Sequence, residues 1–183
     1  GFAALFMAVT VGIVAAGVED GIERATKVMV PAIVVLLVAL AGWATTLEGA
    51  GAGYEYFLAP QFDELVANLG TIVPFAVGQA FFSLSLGMGI MLTYSSYVGE
   101  DANMGVDAVS IVVTNTLVGV LAGFVVFPLL FAQGVDPGAP GSGAIFVSIA
   151  TAFARLPAGE LLGVVFFGVV TIAAFSSSIS LLE

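Results

Sequence analysis

Neither cysteine nor histidine occurs in the 183 residues, so disulfides, thiol chemistry and the usual zinc ligand sets are excluded together. Cations are almost as scarce, with three Lys or Arg against thirteen Asp or Glu and a formal net charge of −10. A chain that poor in positive charge cannot neutralise phosphates, which excludes nucleic-acid binding. Charge of either sign reaches only 9% of residues, while 60% are hydrophobic and the mean hydropathy is +1.17. So little polar surface cannot cover a water-soluble core. No initiator Met is present and no charged segment precedes the first apolar run, so no cleavable signal peptide is expected and the chain reads as an internal fragment.

What the sequence does have is long uncharged stretches. A bilayer crossing needs roughly 20 apolar residues, and five stretches qualify: Gly1 to Val18, Val28 to Leu47, Val66 to Gly99, Ala108 to Val135 and Leu161 to Leu182. They predict an all-α integral membrane protein with about five spans, near 1–18, 28–47, 70–98, 106–133 and 159–183. A sixth uncharged stretch, Pro137 to Ala154, is broken by Pro140 and several glycines. It reads as a shallow, re-entrant-like helical loop near 143–156. Nearly all the acids fall between the apolar runs, and such acidic, Lys-poor loops suit a high-salt milieu in which screening removes their self-repulsion. A halophilic source is the expectation.

Arg24 and Lys27 share the loop after the first run. The positive-inside rule counts cations and largely ignores acids, so it places that loop, residues 19–27, in the cytoplasm. Residues 99–107 then lie on the same side, while 46–68 and 136–160 lie outside. Trp43, Tyr54 and Tyr56 gather near an outer boundary, where aromatic rings prefer to sit.

The third run is anomalous. Its 34 residues, Val66 to Gly99, would measure about 50 Å as one helix, well beyond the hydrocarbon thickness. The run Phe82-Ser83-Leu84-Ser85-Leu86-Gly87-Met88-Gly89 supplies the interruption, because glycine weakens a helix and serine offers the backbone competing hydrogen bonds. Uncoiled backbone at mid-membrane is tolerated only where it lines a polar cavity or is buried in protein. The segment from Phe82 to Gly89 is therefore a candidate solute site, with close packing of small residues as the plainer alternative.

The stretch Gly78 to Val98, with Phe81-Phe82-Ser83-Leu84-Ser85-Leu86-Gly87 followed by Thr93-Tyr94-Ser95-Ser96-Tyr97, closely resembles the sixth transmembrane helix of the neurotransmitter:sodium symporter family, whose bacterial members include the leucine transporter. Gly21-Ile22-Glu23-Arg24 with Lys27 and Pro31 is similar to that family's link between helices four and five. Ser176-Ser177-Ser178 is similar to its eighth-helix hydroxyl cluster. The three matches are colinear and cover essentially the whole chain. The resemblance implies a leucine-transporter-type inverted-repeat fold, represented here from helix four to helix eight, in the plasma membrane. It implies sodium-coupled symport of an amino acid by alternating access, and not enzymatic chemistry.

The resemblance also implies site residues. Ser83 (hydroxyl and carbonyl) and Asn115 would ligate a first sodium ion; Ala173 (carbonyl), Ser176 and Ser177 would contribute to a second. Neutral oxygens suit a hard monovalent cation, since no carboxylate is left unpaired when the ion departs. Substrate contacts implied are Phe82, Ser83, Ser85, Met88, Ser177 and Leu181, and the apolar members suit an apolar or aromatic amino acid. Serine at 83 and 176 replaces the usual threonine, and Met88 replaces a usual aromatic. Gln79 and Ser83 are possible chloride contacts, but Gly119 stands where many relatives carry Ser or an acid, so chloride dependence stays open. For Asn115 the alternative is an interhelical hydrogen bond, and for Ser176 and Ser177 hydroxyls bonding back to their own helix.

Two other function classes remain beside symport: a channel, or a non-transporting scaffold with the same fold. As an isolated piece lacking the remaining helices, the chain is expected to be inactive. An enzyme is disfavoured because no base accompanies Ser83 or Ser177.

Overall fold

The computed structural model describes residues 1–17, 22–99, 102–135, 144–156 and 159–182. These residues form helices α1 (Phe2–Ala15), α2 (Arg24–Ala44), α3 (Ala50–Leu58), α4 (Phe62–Ala67), α5 (Leu69–Ser83), α6 (Ile90–Ser96), α7 (Met104–Ala132), a π-helical turn (Ala144–Ile149), α8 (Ala150–Ala154) and α9 (Gly159–Leu182). No strand occurs among them. Helices α2, α7 and α9, with 21, 29 and 24 residues, are long and apolar enough to cross a membrane; α1 and α5 are shorter apolar helices. The π-helical turn and α8 fall within the expected outer loop, whose residues 136–143 lie outside the described ones, as do 18–21 and 100–101.

The chain divides into two compact units, residues 1–58 with 120–182, and residues 59–119. The first has a packed core. Ile33, Leu37, Leu40 and Ala44 are buried on α2, and their spacing of three or four residues makes one helical stripe. Helix α2 packs against α9, as do α1 and α8. Phe6 of α1 stacks on Phe175 of α9 with ring centroids 4.0 Å apart. A run of aromatic neighbours, Trp43–Phe153 at 6.3 Å and Phe153–Phe166 at 5.5 Å, ties α2, α8 and α9 together. Thr10, the one buried polar residue among those described, donates its hydroxyl to the Phe6 carbonyl at 2.9 Å, so no polar atom is stranded there.

Residues 46–68, expected as a connecting loop, hold the two short helices α3 and α4. The local reason for α3 is its seat on α7. A Cβ at Gly53 would lie 2.6 Å from the Pro128 Cα, and one at Gly123 would collide with the Phe57 ring. Both glycines therefore allow a close approach that any larger residue would block. Phe57 stacks on Phe127 at 4.9 Å, and Tyr56 and Tyr54 pack on Phe131 and Phe124. Burial pushes the Tyr54 phenol above the ordinary tyrosine value, and its buried hydroxyl has no hydrogen-bond partner among the described residues.

The second unit contains α4, α5, α6 and the first half of α7. None of its described residues is buried. Phe75, Phe82 and Leu92 are each at least 70% exposed. A surface that apolar suits hydrocarbon or other helices rather than water.

Candidate solute and cation site

Helix α5 stops at Ser83 and α6 starts at Ile90, so residues 84–89 are not helical. The interruption anticipated from Phe82 begins two residues later. Phe82 and Ser83 stay helical because the last turn is still closed, with the Leu84 N–H donating to the Ala80 carbonyl at 3.0 Å. Beyond it the chain turns through three left-handed residues, Ser85 (φ 57), Gly87 (φ 80) and Gly89 (φ 86). Glycine takes that geometry at no steric cost.

The hydrogen bonds across the break are uneven. The carbonyl of Phe81 accepts from the Leu86 N–H at 2.8 Å, and that of Phe82 from the Ser85 N–H at 3.1 Å. The Gly89 carbonyl accepts from Leu92 and Thr93 N–H at 2.9 and 3.1 Å. The carbonyls of residues 83–88 accept no hydrogen bond from any described residue. An unpaired carbonyl away from water is costly unless something else binds it. These oxygens also sit at the negative end of the α5 dipole.

Asn115 of α7 reaches this place. Its Nδ2 donates to the Ser83 Oγ at 3.2 Å, while the Ser83 hydroxyl lies 3.4 Å from the Ala80 carbonyl. The pair expected to share a cation is thus brought together across 32 residues of sequence. Two oxygens on a cation at about 2.4 Å, set at right angles, are roughly 3.4 Å apart. A half-turn of the Asn115 amide puts its oxygen where Nδ2 now stands, at nearly that spacing. Gln79, one turn before Ser83 on α5, is exposed, and a Cβ at Gly119, one turn after Asn115, would meet nothing within 4 Å. Phe82 is 70% exposed and Met88 49%; Ser85 is half-buried.

The hydroxyl cluster of α9 belongs to the other unit. Ser176 donates to the Ala173 carbonyl at 2.8 Å, so the two oxygens read as ligands of the second ion are adjacent, here through the back-bond to their own helix. Ser177 is exposed, and its hydroxyl meets no described partner. Ala173, Ser177 and Leu181 follow at intervals of four, which puts them on one stripe of α9. The expected residues therefore form two groups: Gln79, Phe82, Ser83, Ser85, Met88 and Asn115 in the second unit, and Ala173, Ser176, Ser177 and Leu181 in the first. Among the described residues no group of three or more His, Cys, Asp or Glu side chains is placed to hold a metal.

The sodium:neurotransmitter symporter family model matches residues 3–183. The chain belongs to that family. It is 39% identical over 179 residues to an uncharacterized sodium-dependent transporter of Haemophilus influenzae, covering 98% of this chain and 38% of the relative. It is 40% identical to another of Bacillus subtilis, over 98% of this chain and 39% of the relative. A mouse sodium- and chloride-dependent neutral and basic amino acid transporter is 30% identical over 93% of the chain and 28% of its own length. The chain spans about two-fifths of the length of the bacterial relatives. Membership of this symporter family, with three helices long enough to span a bilayer, makes it part of a multi-pass membrane protein of the leucine-transporter type, and its relatives are transporters, not enzymes.

Sequence reasoning named the Ser83 carbonyl but not that of Leu84, nor the left-handed backbone of Ser85. The glycines at 87 and 89 signalled the break. The serines at 83 and 85 added to that signal through their competing hydrogen bonds, but nothing in a serine foretells the left-handed geometry at 85, which accompanies the closure of α5.

Proposed function

We propose that this chain is the central part of a sodium-coupled symporter that moves an amino acid across the plasma membrane by alternating access. The observation that carries the reading is the Asn115–Ser83 contact together with a row of carbonyls, residues 83–88, that accept no hydrogen bond from a described residue. In the proposed arrangement Ser83 and Asn115 hold one sodium ion; Ala173, Ser176 and Ser177 contribute to a second, whose other ligands belong to parts of the protein outside this chain. The substrate meets Phe82, Ser83, Ser85, Met88, Ser177 and Leu181. The exposed apolar surfaces of Phe82, Met88 and Leu181 favour an apolar or aromatic side chain. The mouse relative's name supports the amino-acid class and raises a chloride requirement, for which Gln79 and Ser83 are the candidates; Gly119 offers that site no side-chain ligand. Residues 19–27 and 99–107 face the cytoplasm in this arrangement.

Coupling needs no covalent step. One sodium ion moving through 100 mV brings about 2.3 kcal/mol, and a tenfold concentration gradient adds about 1.4 kcal/mol. Together they concentrate a zwitterion about 500-fold per ion. Neutral ligands allow the ion to leave without stranding a charge in the membrane.

The test is amino-acid uptake by the full-length protein in proteoliposomes. Uptake is expected to need inward sodium and to be abolished by Asn115→Leu or Ser177→Leu. Equal uptake in potassium overturns symport; flux that never saturates identifies a channel, and absent flux in a correctly folded protein identifies a scaffold.

A further inference from the structure

The end of α5 is closed by a paired pattern. The Leu86 N–H reaches back five residues to Phe81, and the Ser85 N–H three residues to Phe82. This pattern requires a left-handed residue at position 85, usually glycine. Here it is serine, at φ 57, the one non-glycine residue with positive φ among those described. Its hydroxyl makes no hydrogen bond to a described residue. Ser85 thus carries two separable properties, a hydroxyl and an unfavourable backbone geometry.

The geometry has a direct consequence for the carbonyls. If residue 85 were helical, the N–H groups of Gly87 and Met88 would bond to the Ser83 and Leu84 carbonyls in the ordinary i to i−4 pattern. The left-handed turn diverts the chain, and those two carbonyls, of the last residue of α5 and of the residue after it, accept no hydrogen bond from a described residue; the hydroxyl of the same Ser83 meets Asn115. We infer that Ser85 is a positioning residue for the cation, and that it acts through its left-handed backbone, which keeps the Ser83 and Leu84 carbonyls free, rather than through its hydroxyl. The inference rests on the proposal that this break binds sodium.

Two substitutions separate the properties. Ser85→Gly removes the hydroxyl and favours the left-handed turn; Ser85→Thr keeps the hydroxyl but adds a β-branch that resists it. A variant that disfavours the turn lowers the population of the ion-competent form, and the apparent affinity falls with that population. In the purified full-length transporter without amino acid, so that a contact of the hydroxyl with substrate plays no part, and measured as the sodium concentration for half-maximal binding of radioactive sodium, Ser85→Gly is expected within twofold of the parent and Ser85→Thr at least tenfold higher. Should Ser85→Thr not reach the membrane folded, Ser85→Ala against Ser85→Gly makes the same comparison, both lacking the hydroxyl, with an expected difference of about fivefold. A purely structural defect would lower the maximal sodium binding through the amount of folded protein and leave the half-saturating sodium unchanged. The inference is overturned if Ser85→Gly weakens sodium as much as Ser85→Thr or Ser85→Ala, or if Ser85→Thr matches the parent. A parent protein whose uptake ignores sodium would instead remove the symport reading itself.

Discussion

The two units of this chain solve the same composition differently. In the first, apolar side chains are spent on one another: α2, α8 and α9 share the buried cluster of Leu37, Leu40, Phe153 and Phe166, and α3 is fitted to α7 through Gly53 and Gly123. In the second, the same residue types face outward and no described residue is buried, yet this is the unit with the broken helix and the free carbonyls. The chain spans about two-fifths of its bacterial relatives, so the apolar surface left uncovered in the second unit is suited to the remaining helices or to hydrocarbon, while the first unit already covers much of its own.

The largest expected effect sharpens that contrast. Gly53→Leu places a side chain against the Pro128 backbone, where overpacking cannot be relieved by a rotamer change. It is expected to cost at least about 3 kcal/mol, read as a lower thermal unfolding midpoint of the purified transporter. Gly119→Ala in the open unit meets nothing within 4 Å and is expected to shift stability by less than about 0.5 kcal/mol. Equal losses at both positions would erase the distinction between the units.

A smaller effect is expected inside the packed unit. The Tyr54 hydroxyl is buried without a partner among the described residues, so Tyr54→Phe removes an unmet polar group and is expected to leave stability unchanged or raise it by about 1 kcal/mol. The phenol's folded value is raised, which means the unfolded chain loses its proton first. That contribution to stability is intact below about pH 10 and declines as pH rises above it. Melting curves across that range should show an alkaline loss in the parent that Tyr54→Phe lacks.

The smallest effect belongs to the Glu23–Lys27 ion pair. Its 2.6 Å contact joins side chains that are 51% and 71% exposed, and solvent screens such pairs. Glu23→Gln is expected to cost less than about 0.5 kcal/mol; a larger loss in the same melting assay would show that this end of α2 is more enclosed than its surface indicates.

How much of this was legible in the residues depended on how local the cause was. The broken third span was readable because Gly87 and Gly89 act on their own backbone. The back-bond of Ser176 to Ala173 spans three residues and was one of the two alternatives left open for that hydroxyl. Helix α3 was missed, since its nine residues are held by α7 rather than by their own propensity. The Asn115–Ser83 contact was expected through resemblance alone, because no pattern in either segment points to the other.

The sequence by itself determined the solvent, the helical class and the place where a helix must fail. Each follows from composition or from residues adjacent in the chain: charge too sparse for water, apolar runs of bilayer length, glycines that relax one turn. Only the tertiary structure decided that Asn115 meets Ser83, that α3 sits on α7, and that a serine instead of a glycine takes the left-handed turn at 85. Those outcomes depend on contacts between distant segments and on how a helix end satisfies its last carbonyls, and neither is written in any single stretch of sequence.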